Sequence, residues 1–247
     1  MVKIQLISDL HLEFTQNIPI TLIGDILVLA GDIATVNSID SYDLFISECS
    51  KLYRHIVVVM GNHEYWSSKG MEYATKRYSN VCDKYDNVHF LDKSFVDLEG
   101  FRILGCTMWS NIPSEHAYVI EKCVNDYSRI KIKKGGRKYK ITYNDVNEMH
   151  FQQKRWLSDQ IERSNLPVIV VTHHSPLFET TPKSLDYAYH SDLTGLMSDK
   201  LKLWCHGHTH KYRNVREGNT IILSNPVGYP KEETGYLQEK FIELNIE

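Results

Sequence analysis

The stretch His55–Glu64, HIVVVMGNHE, decides how the chain is read. An apolar β-branched run stops at a glycine, and Asn62, His63 and Glu64 follow without a spacer. Such a run is expected to be a buried strand, and its abrupt end delivers polar side chains to the rim of a sheet, where open α/β folds place their chemistry. The same punctuation recurs on both sides. Toward the N-terminus, VKIQLI (2–7) ends in Ser8-Asp9-Leu10-His11, and ILVLA (26–30) ends in Gly31-Asp32. Toward the C-terminus, Val168–Val171 opens into Thr172-His173-His174-Ser175-Pro176, and Leu201–Cys205 into His206-Gly207-His208-Thr209-His210.

Each of these ends has a bland reading by itself. A lone Asp-x-His is more often a turn aspartate with a surface histidine, and Asp32 alone reads as a helix cap. Recurrence at successive strand ends is what argues for a site. Side chains at i and i+2 of an extended chain share a face, so Asp9 can converge with His11, and His208 with His210. Of twelve histidines, seven (His11, His63, His173, His174, His206, His208, His210) lie just past apolar strand-like runs.

Between these ends the chain supplies scaffold. Residues 39–54 show helical spacing, with Leu44, Phe45, Cys49 and Leu52 expected on the inner face, and a second amphipathic helix is expected over 67–80. Val88–Leu91 and Phe101–Cys106 read as strands, with Gly100 marking a hairpin-like turn. Residues 107–141 are the least regular, and the basic run Lys131–Lys140 around Gly135-Gly136 reads as a solvated loop ahead of a phosphate-steering patch. Thr142–Arg163 is expected to be one long helix opened by a Thr142/Asp145 capping box. Residues 177–199, with Tyr187, Tyr189 and His190, read as a loop-rich cover over the site. Thr220–Leu223 and Lys240–Ile246 complete the expected strands, with the loop Asn225–Tyr229 before the last.

The bulk composition narrows the field. A chain of 247 residues with 42% hydrophobic and 24% charged residues is expected to form a single domain, 1–247, with insertions at 107–141 and 177–199. A formal net charge of -3 gives no whole-protein attraction to polyanions, so nucleic acid is not the favoured partner. Five cysteines without a CxxC pair fit reduced thiols and a cytoplasmic location. Neither a targeting signal nor an apolar run of membrane-spanning length is seen, so no membrane partner is expected.

Collected, the strand ends offer Asp9, His11, Asp32, Asn62, His63, His173 or His174, His208 and His210. Oxygen and imidazole donors without a placed thiolate favour manganese, iron or zinc over a structural zinc site. About seven donors exceed one tetrahedral ion and suit two ions that clamp a phosphoryl group. Ser175 lacks a GxSxG setting, and His63-Glu64 lacks the HExxH spacing, so other hydrolase chemistries fit worse.

The ordered series DLH (9–11), GD (31–32), GNHE (61–64), THH (172–174) and GHTH (207–210) resembles the calcineurin-like metallophosphoesterase superfamily. Within it, GCTMWS, NDYSRI, VVTHHSP and SNPVGY resemble a bacterial or phage-type group of phosphoesterases. The resemblance implies an α/β fold, a four-layer α/β/β/α sandwich of two mixed sheets flanked by helices. It implies two divalent metal ions (Mn2+, Fe2+/Fe3+ or Zn2+): Asp9, His11 and His210 on the first, Asn62, His173 and His208 on the second, and Asp32 bridging. A bridging hydroxide would then attack the phosphorus of a phosphate mono- or diester, with His63 as the general acid. Asn62 would contact phosphate as well as metal, and Glu64 would orient its neighbours. The family's single fourth-motif histidine is here a pair; His173, nearer the strand end, is favoured as ligand, leaving His174 for substrate or support. The competing readings are a non-catalytic binding scaffold on the same fold, disfavoured because every ligand position and His63 are filled, and a nuclease that uses the Lys131–Lys140 run.

Overall fold

In the computed structural model, which describes residues 1–14, 21 and 23–245, the punctuated runs are all strands. β1 (Val2–Ile7), β2 (Ile26–Ala30), β3 (His55–Val59) and β4 (Val88–Phe90) are parallel neighbours in one sheet. β13 (Phe241–Leu244) closes it antiparallel to β1. The second sheet runs in the order β11 (Arg213–Glu217), β12 (Thr220–Ser224), β10 (Leu201–His206), β9 (Val168–Val171), β6 (Phe101–Gly105), β5 (Ser94–Leu98). Its inner four strands are parallel, and its two edges are antiparallel.

Side-chain parity explains why these runs are apolar throughout instead of alternating. Val28, Ala30, Val57 and Val59 point between the sheets, where they meet Ile103, Ile169, Val171, Leu203 and Cys205. Their neighbours Leu27, Leu29, Ile56 and Val58 point outward, under α1 (Ile39–Ser50) and α2 (Met71–Cys82). The outer face of the second sheet, with Val168, Val170 and Trp204, packs on Leu157 and Ile161 of α5 (Tyr143–Arg163). Helix, sheet, sheet and helix make four layers, as the motif series implied. Parallel strands bring their C-terminal ends to one edge of each sheet, which is where the five motifs lie.

Several local expectations are corrected. The buried stripe of α1 is Ile39, Tyr42, Ile46 and Cys49; Leu44 and Leu52 are 63% and 60% exposed, Leu52 lying past the helix end. A turn at Trp66–Gly70 delays α2 to Met71, with Gly70 at φ 98 before its first turn. Residues 107–141 are more ordered than their composition suggests. They hold α3 (Ser114–Cys123), α4 (Asp126–Arg129) and a hairpin of β7 (Lys131–Lys134) and β8 (Arg137–Lys140), turned by Gly135-Gly136 at positive φ. The basic run is thus a sheet and not a loop. Edge strand β11 is mostly exposed and carries no apolar signature, so periodicity does not reveal it. The last strand ends at Leu244, and Ile246, expected in it, lies outside the described residues. The Thr142 capping box forms as expected, with Asp145 accepting from the Thr142 amide at 3.0 Å.

All five cysteines are free, and no helix among the described residues is long and apolar enough to cross a membrane. Leu203 is fully buried between the sheets. Truncation there leaves a cavity that two rigid sheets cannot collapse, so Leu203→Ala is expected to lower the unfolding free energy by about 2–5 kcal/mol. Urea denaturation followed by circular dichroism measures this, with an unchanged denaturant slope expected.

Candidate functional site

The strand-end turns are stitched to one another by backbone bonds. Asp9 and His11 donate to the carbonyls of Gly31 and Asp32, at 3.0 Å each. His173 donates to Thr107 at 3.1 Å, and Gly207 to His173 at 3.0 Å. Turning this sharply puts Asp9, His11, Asp32, His208 and His210 at φ between 48 and 70, a left-handed conformation unusual for residues other than glycine. Strain of order 1–3 kcal/mol per residue, clustered at one edge, is the mark of a site held by its surroundings.

The side chains gather into two groups, with a third, His11, Glu13 and His63, sharing His11 with the first. Asp9, His11 and His210 offer ligand atoms within 4.8 Å of one another, and so do Asp32, His173 and His208. In the first group the Nε2 atoms of His11 and His210 lie 3.2 Å apart, and His210 Nε2 is 3.4 Å from Asp9 Oδ1. In the second, His173 Nε2 lies 3.1 Å from His208 Nδ1, 3.0 Å from Asn62 Oδ1 and 3.4 Å from Asp32 Oδ1. All but His210 are buried.

The donor set fits divalent metal ions. His173 donates Nδ1–H to the Ala30 carbonyl at 2.8 Å, which turns Nε2 toward Asp32 and Asn62. Burial opposes a charge on His173, yet the Asp32 and Asp9 carboxylates push its pKa up to about 10. His210 is likewise pushed up to about 9, burial being outweighed by Asp9 and Glu232. Surroundings that favour a proton at these nitrogens against the penalty of burial favour any cation there. Glu232 Oε2 lies 2.6 Å from His210 Nδ1, the carboxylate-histidine pairing that orients metal-binding imidazoles.

His63 stands beside both groups. Its amide donates to Asp32 Oδ1 at 2.9 Å, and its ring stacks on Trp66 with centroids 3.5 Å apart. Nδ1 faces Glu13 Oε1 at 3.0 Å, and Nε2 faces the Tyr229 hydroxyl at 3.2 Å and Asp32 Oδ2 at 3.9 Å. Burial disfavours its charge, but the Asp32 and Glu13 carboxylates prevail and raise its pKa. Glu64 is buried behind it and accepts from the amides of Gly61, Asp32 and Ile33 at 2.8, 2.9 and 2.7 Å. Its carboxylate reaches neither metal-ligand group, in keeping with an orienting role.

The two adjacent histidines of the fourth motif face different ways. His174 turns its Nδ1 to the Thr107 carbonyl at 3.3 Å and lies against Trp109. Burial and the neighbouring His173 push its pKa down to about 3. It is not among the residues lining the cleft above the site. That cleft, of about 440 Å3, is bounded by Asp32, Asn62, His63, His208 and His210 at its floor, and its far walls come from residues between 123 and 126 and between 178 and 190. Tyr189 and His190 of the expected cover line it, whereas Tyr187 does not.

Four residues that the strand-end pattern did not single out complete the arrangement. Glu13 contacts both His63 and, at 3.3 Å, His11 Nδ1. Asp126 accepts from Asn62 Nδ2 at 2.9 Å and from Trp66 Nε1 at 2.7 Å, which aims the Asn62 oxygen at His173. Tyr229 stacks on His11 with centroids 4.4 Å apart, and Glu232 holds His210. Glu13 lies two residues beyond the first motif, so extending that motif would have found it; the other three are remote in sequence.

Two mixed sheets whose motif-bearing parallel strands end over paired histidine–carboxylate groups define a two-sheet metallophosphoesterase architecture. The chain belongs to the calcineurin-like phosphoesterase family, whose model matches residues 2–212. It is 28% identical to an uncharacterised protein of Acanthamoeba polyphaga mimivirus, across 97% of this chain and 95% of that one. Among solved structures, phosphopantetheinyl hydrolase (PptH) from Mycobacterium tuberculosis shares the fold, with a TM-score of 0.67 at 18% identity over 93% of this chain and 90% of that one.

A side chain at Gly61 would collide with the Asp32 carboxylate and with His173. Gly61→Ala is therefore expected to fold, by circular dichroism, but to lose at least half of the manganese that the wild type retains after gel filtration, as read by elemental analysis.

Proposed function

We propose that this chain is a metal-dependent hydrolase of phosphate mono- or diesters. The observation that supports it best is the pair of adjoining ligand groups with the His63 ring beside them at the floor of a cleft. Asp9, His11 and His210 would hold one divalent ion, and Asn62, His173 and His208 a second, with Asp32 shared between them. When bound, two such ions lower the pKa of water, so that hydroxide is available near neutral pH, and offset phosphoryl charge. Manganese, iron and zinc all suit this mixture of oxygen and imidazole donors.

The chain's own residues would do the remaining work. Asn62, fixed through its amide by Asp126, presents its oxygen to the site and would fix the ester's orientation. His63 would carry a proton on Nε2 and give it to the departing oxygen, while Glu13 takes the hydrogen bond from Nδ1. Glu13 is a positioning residue in this scheme, since one carboxylate orients both His63 and His11. Tyr229, 3.2 Å from the same Nε2, would hold the leaving oxygen or a phosphoryl oxygen. His174 would brace His173 from behind, against Thr107 and Trp109. A binding scaffold without turnover would have no use for an imidazole held in this way between Glu13 and the two ligand groups.

Hydrolysis of p-nitrophenyl and bis-p-nitrophenyl phosphate tests the reading. Chelation is expected to abolish turnover and added manganese to restore it; inactivity on every ester across manganese, iron and zinc would refute it. His63→Ala is expected to keep its metal content while kcat falls by about 100-fold or more, the usual contribution of a general acid. Loss of metal in that variant would make His63 a ligand.

Glu13→Gln should lose about 10- to 100-fold in activity, the range for residues that orient ligands and catalytic groups. The loss should be larger for an alkyl phosphate, whose departing oxygen needs the proton, than for p-nitrophenyl phosphate. An equal loss on both would assign Glu13 to metal binding through His11 alone.

A further inference from the structure

The hairpin β7–β8 has a pairing that its own fold does not explain. Its register sets Lys131 opposite Lys140, Ile132 opposite Tyr139, Lys133 opposite Lys138 and Lys134 opposite Arg137. Three of these four pairs place cation against cation, which destabilises a two-stranded ribbon that is marginal by itself. Between residues 127 and 144 there is no acidic residue, in a chain whose net charge is -3. Positive charge has been concentrated here against the general balance.

The two faces of the ribbon differ. Ile132 packs on the core beneath, and Lys134, on the same face, pairs with Asp145 of α5. The opposite face therefore carries Lys131, Lys133, Lys138 and Lys140. Lysines at i and i+2 on such a face lie about 6.6 Å apart along the strand, so the four form a compact block of cations. The hairpin also leads to the site. It leaves α4 directly, and Asn125 and Asp126 at the start of that turn line the cleft. Arg129 lies over the Trp66 ring at 4.4 Å, so cations run from the hairpin to the cleft wall.

We propose that hairpin β7–β8 docks the sugar–phosphate backbone of a single-stranded nucleic acid and leads it past Arg129 to the cleft. A regularly spaced polyanion removes the repulsion across the ribbon, and such binding releases counterions from the strand. A cleft of about 440 Å3 is large enough for a nucleotide-sized group. Tyr189 and Tyr229 on its walls offer aromatic surfaces on which bases stack without sequence preference. Two of the acidic residues of the wall have cationic partners, Glu179 with Lys211 at 3.5 Å and Glu232 with His210 at 2.6 Å. That the bound strand is also cleaved rests on the phosphoesterase reading above; docking does not.

The test uses the full-length protein in EDTA and a fluorescein-labelled oligothymidylate, read by anisotropy between about 50 and 200 mM salt. The double variant Lys138→Glu/Lys140→Glu converts two cation–cation pairs into attractive ones, so the hairpin is retained while its cationic face is lost. Wild-type binding is expected to weaken steeply with salt. The double variant is expected to bind at least tenfold more weakly, with a flatter salt dependence and an unlowered melting temperature. Its rate on bis-p-nitrophenyl phosphate should match the wild type's. Equal binding by the two proteins, absence of wild-type binding at the lowest salt, or binding only to phosphatidylserine vesicles would each overturn the proposal. If neither protein hydrolyses any ester but hairpin-dependent binding is seen, the catalytic reading falls and docking stands.

Discussion

The buried carboxylate of Glu64 is the tie on which the site's geometry depends. It accepts from the amides of Gly61 at the end of β3 and of Asp32 and Ile33 at the end of β2, so two adjacent turns share one carboxyl group. Those amides would otherwise be buried donors without partners, at a cost of about 1–3 kcal/mol each. Burial, with the nearby Asp32 carboxylate, pushes the Glu64 pKa up to about 8, and the amide donors oppose that rise. With the turns tied, Asp32 and His63 are placed by their backbones, and their side chains have little freedom left. The strained left-handed residues of the neighbouring turns persist for the same reason: the chain around them has no alternative arrangement.

The site follows from the sheets as much as from the turns. Parallel strands end together, so every crossover returns a new motif to the same edge, and two packed sheets bring two such edges into contact. The first ligand group takes Asp9 and His11 from the first sheet and His210 from the second; the other takes Asp32 from the first and His173 and His208 from the second. Any slip in the packing of one sheet on the other would separate donor groups that are far apart in sequence. The core between the sheets therefore bears on the chemistry, although no residue in it touches the cleft. Residues 107–141 and 177–199 supply the far walls of the cleft, and Asp126 of the first also fixes the Asn62 side chain at its floor.

Much of this is legible in the linear chain, for identifiable reasons. A strand buried on both faces is an uninterrupted apolar run, and a glycine or a polar cluster ends it, so β1, β2, β3, β9 and β10 are visible together with the polar turn after each. The inner face of α1 is harder to read because apolar content does not equal burial: Leu44 lies on the solvent side and Tyr42 on the inner side. The hairpin β7–β8 is unreadable as a ribbon because cation opposite cation is the reverse of what strand pairing prefers. Strand β11 is an edge held by backbone bonds, and such bonds leave no trace in side-chain pattern.

By itself, the sequence determined where the strands end, which donor atoms stand there and which family those motifs belong to, since all of these depend on neighbours within a few residues. Tertiary structure decided what those donors meet. It turned the His173 ring toward Asp32 and the His174 ring toward Thr107, a choice that adjacent residues cannot announce because their side chains leave the backbone in opposite directions. It also brought Asp126, Tyr229 and Glu232 to the site from far along the chain, as with the 166 residues that separate His63 from Tyr229. These contacts arise from sheet order and packing, and neither is encoded in any short stretch of the chain.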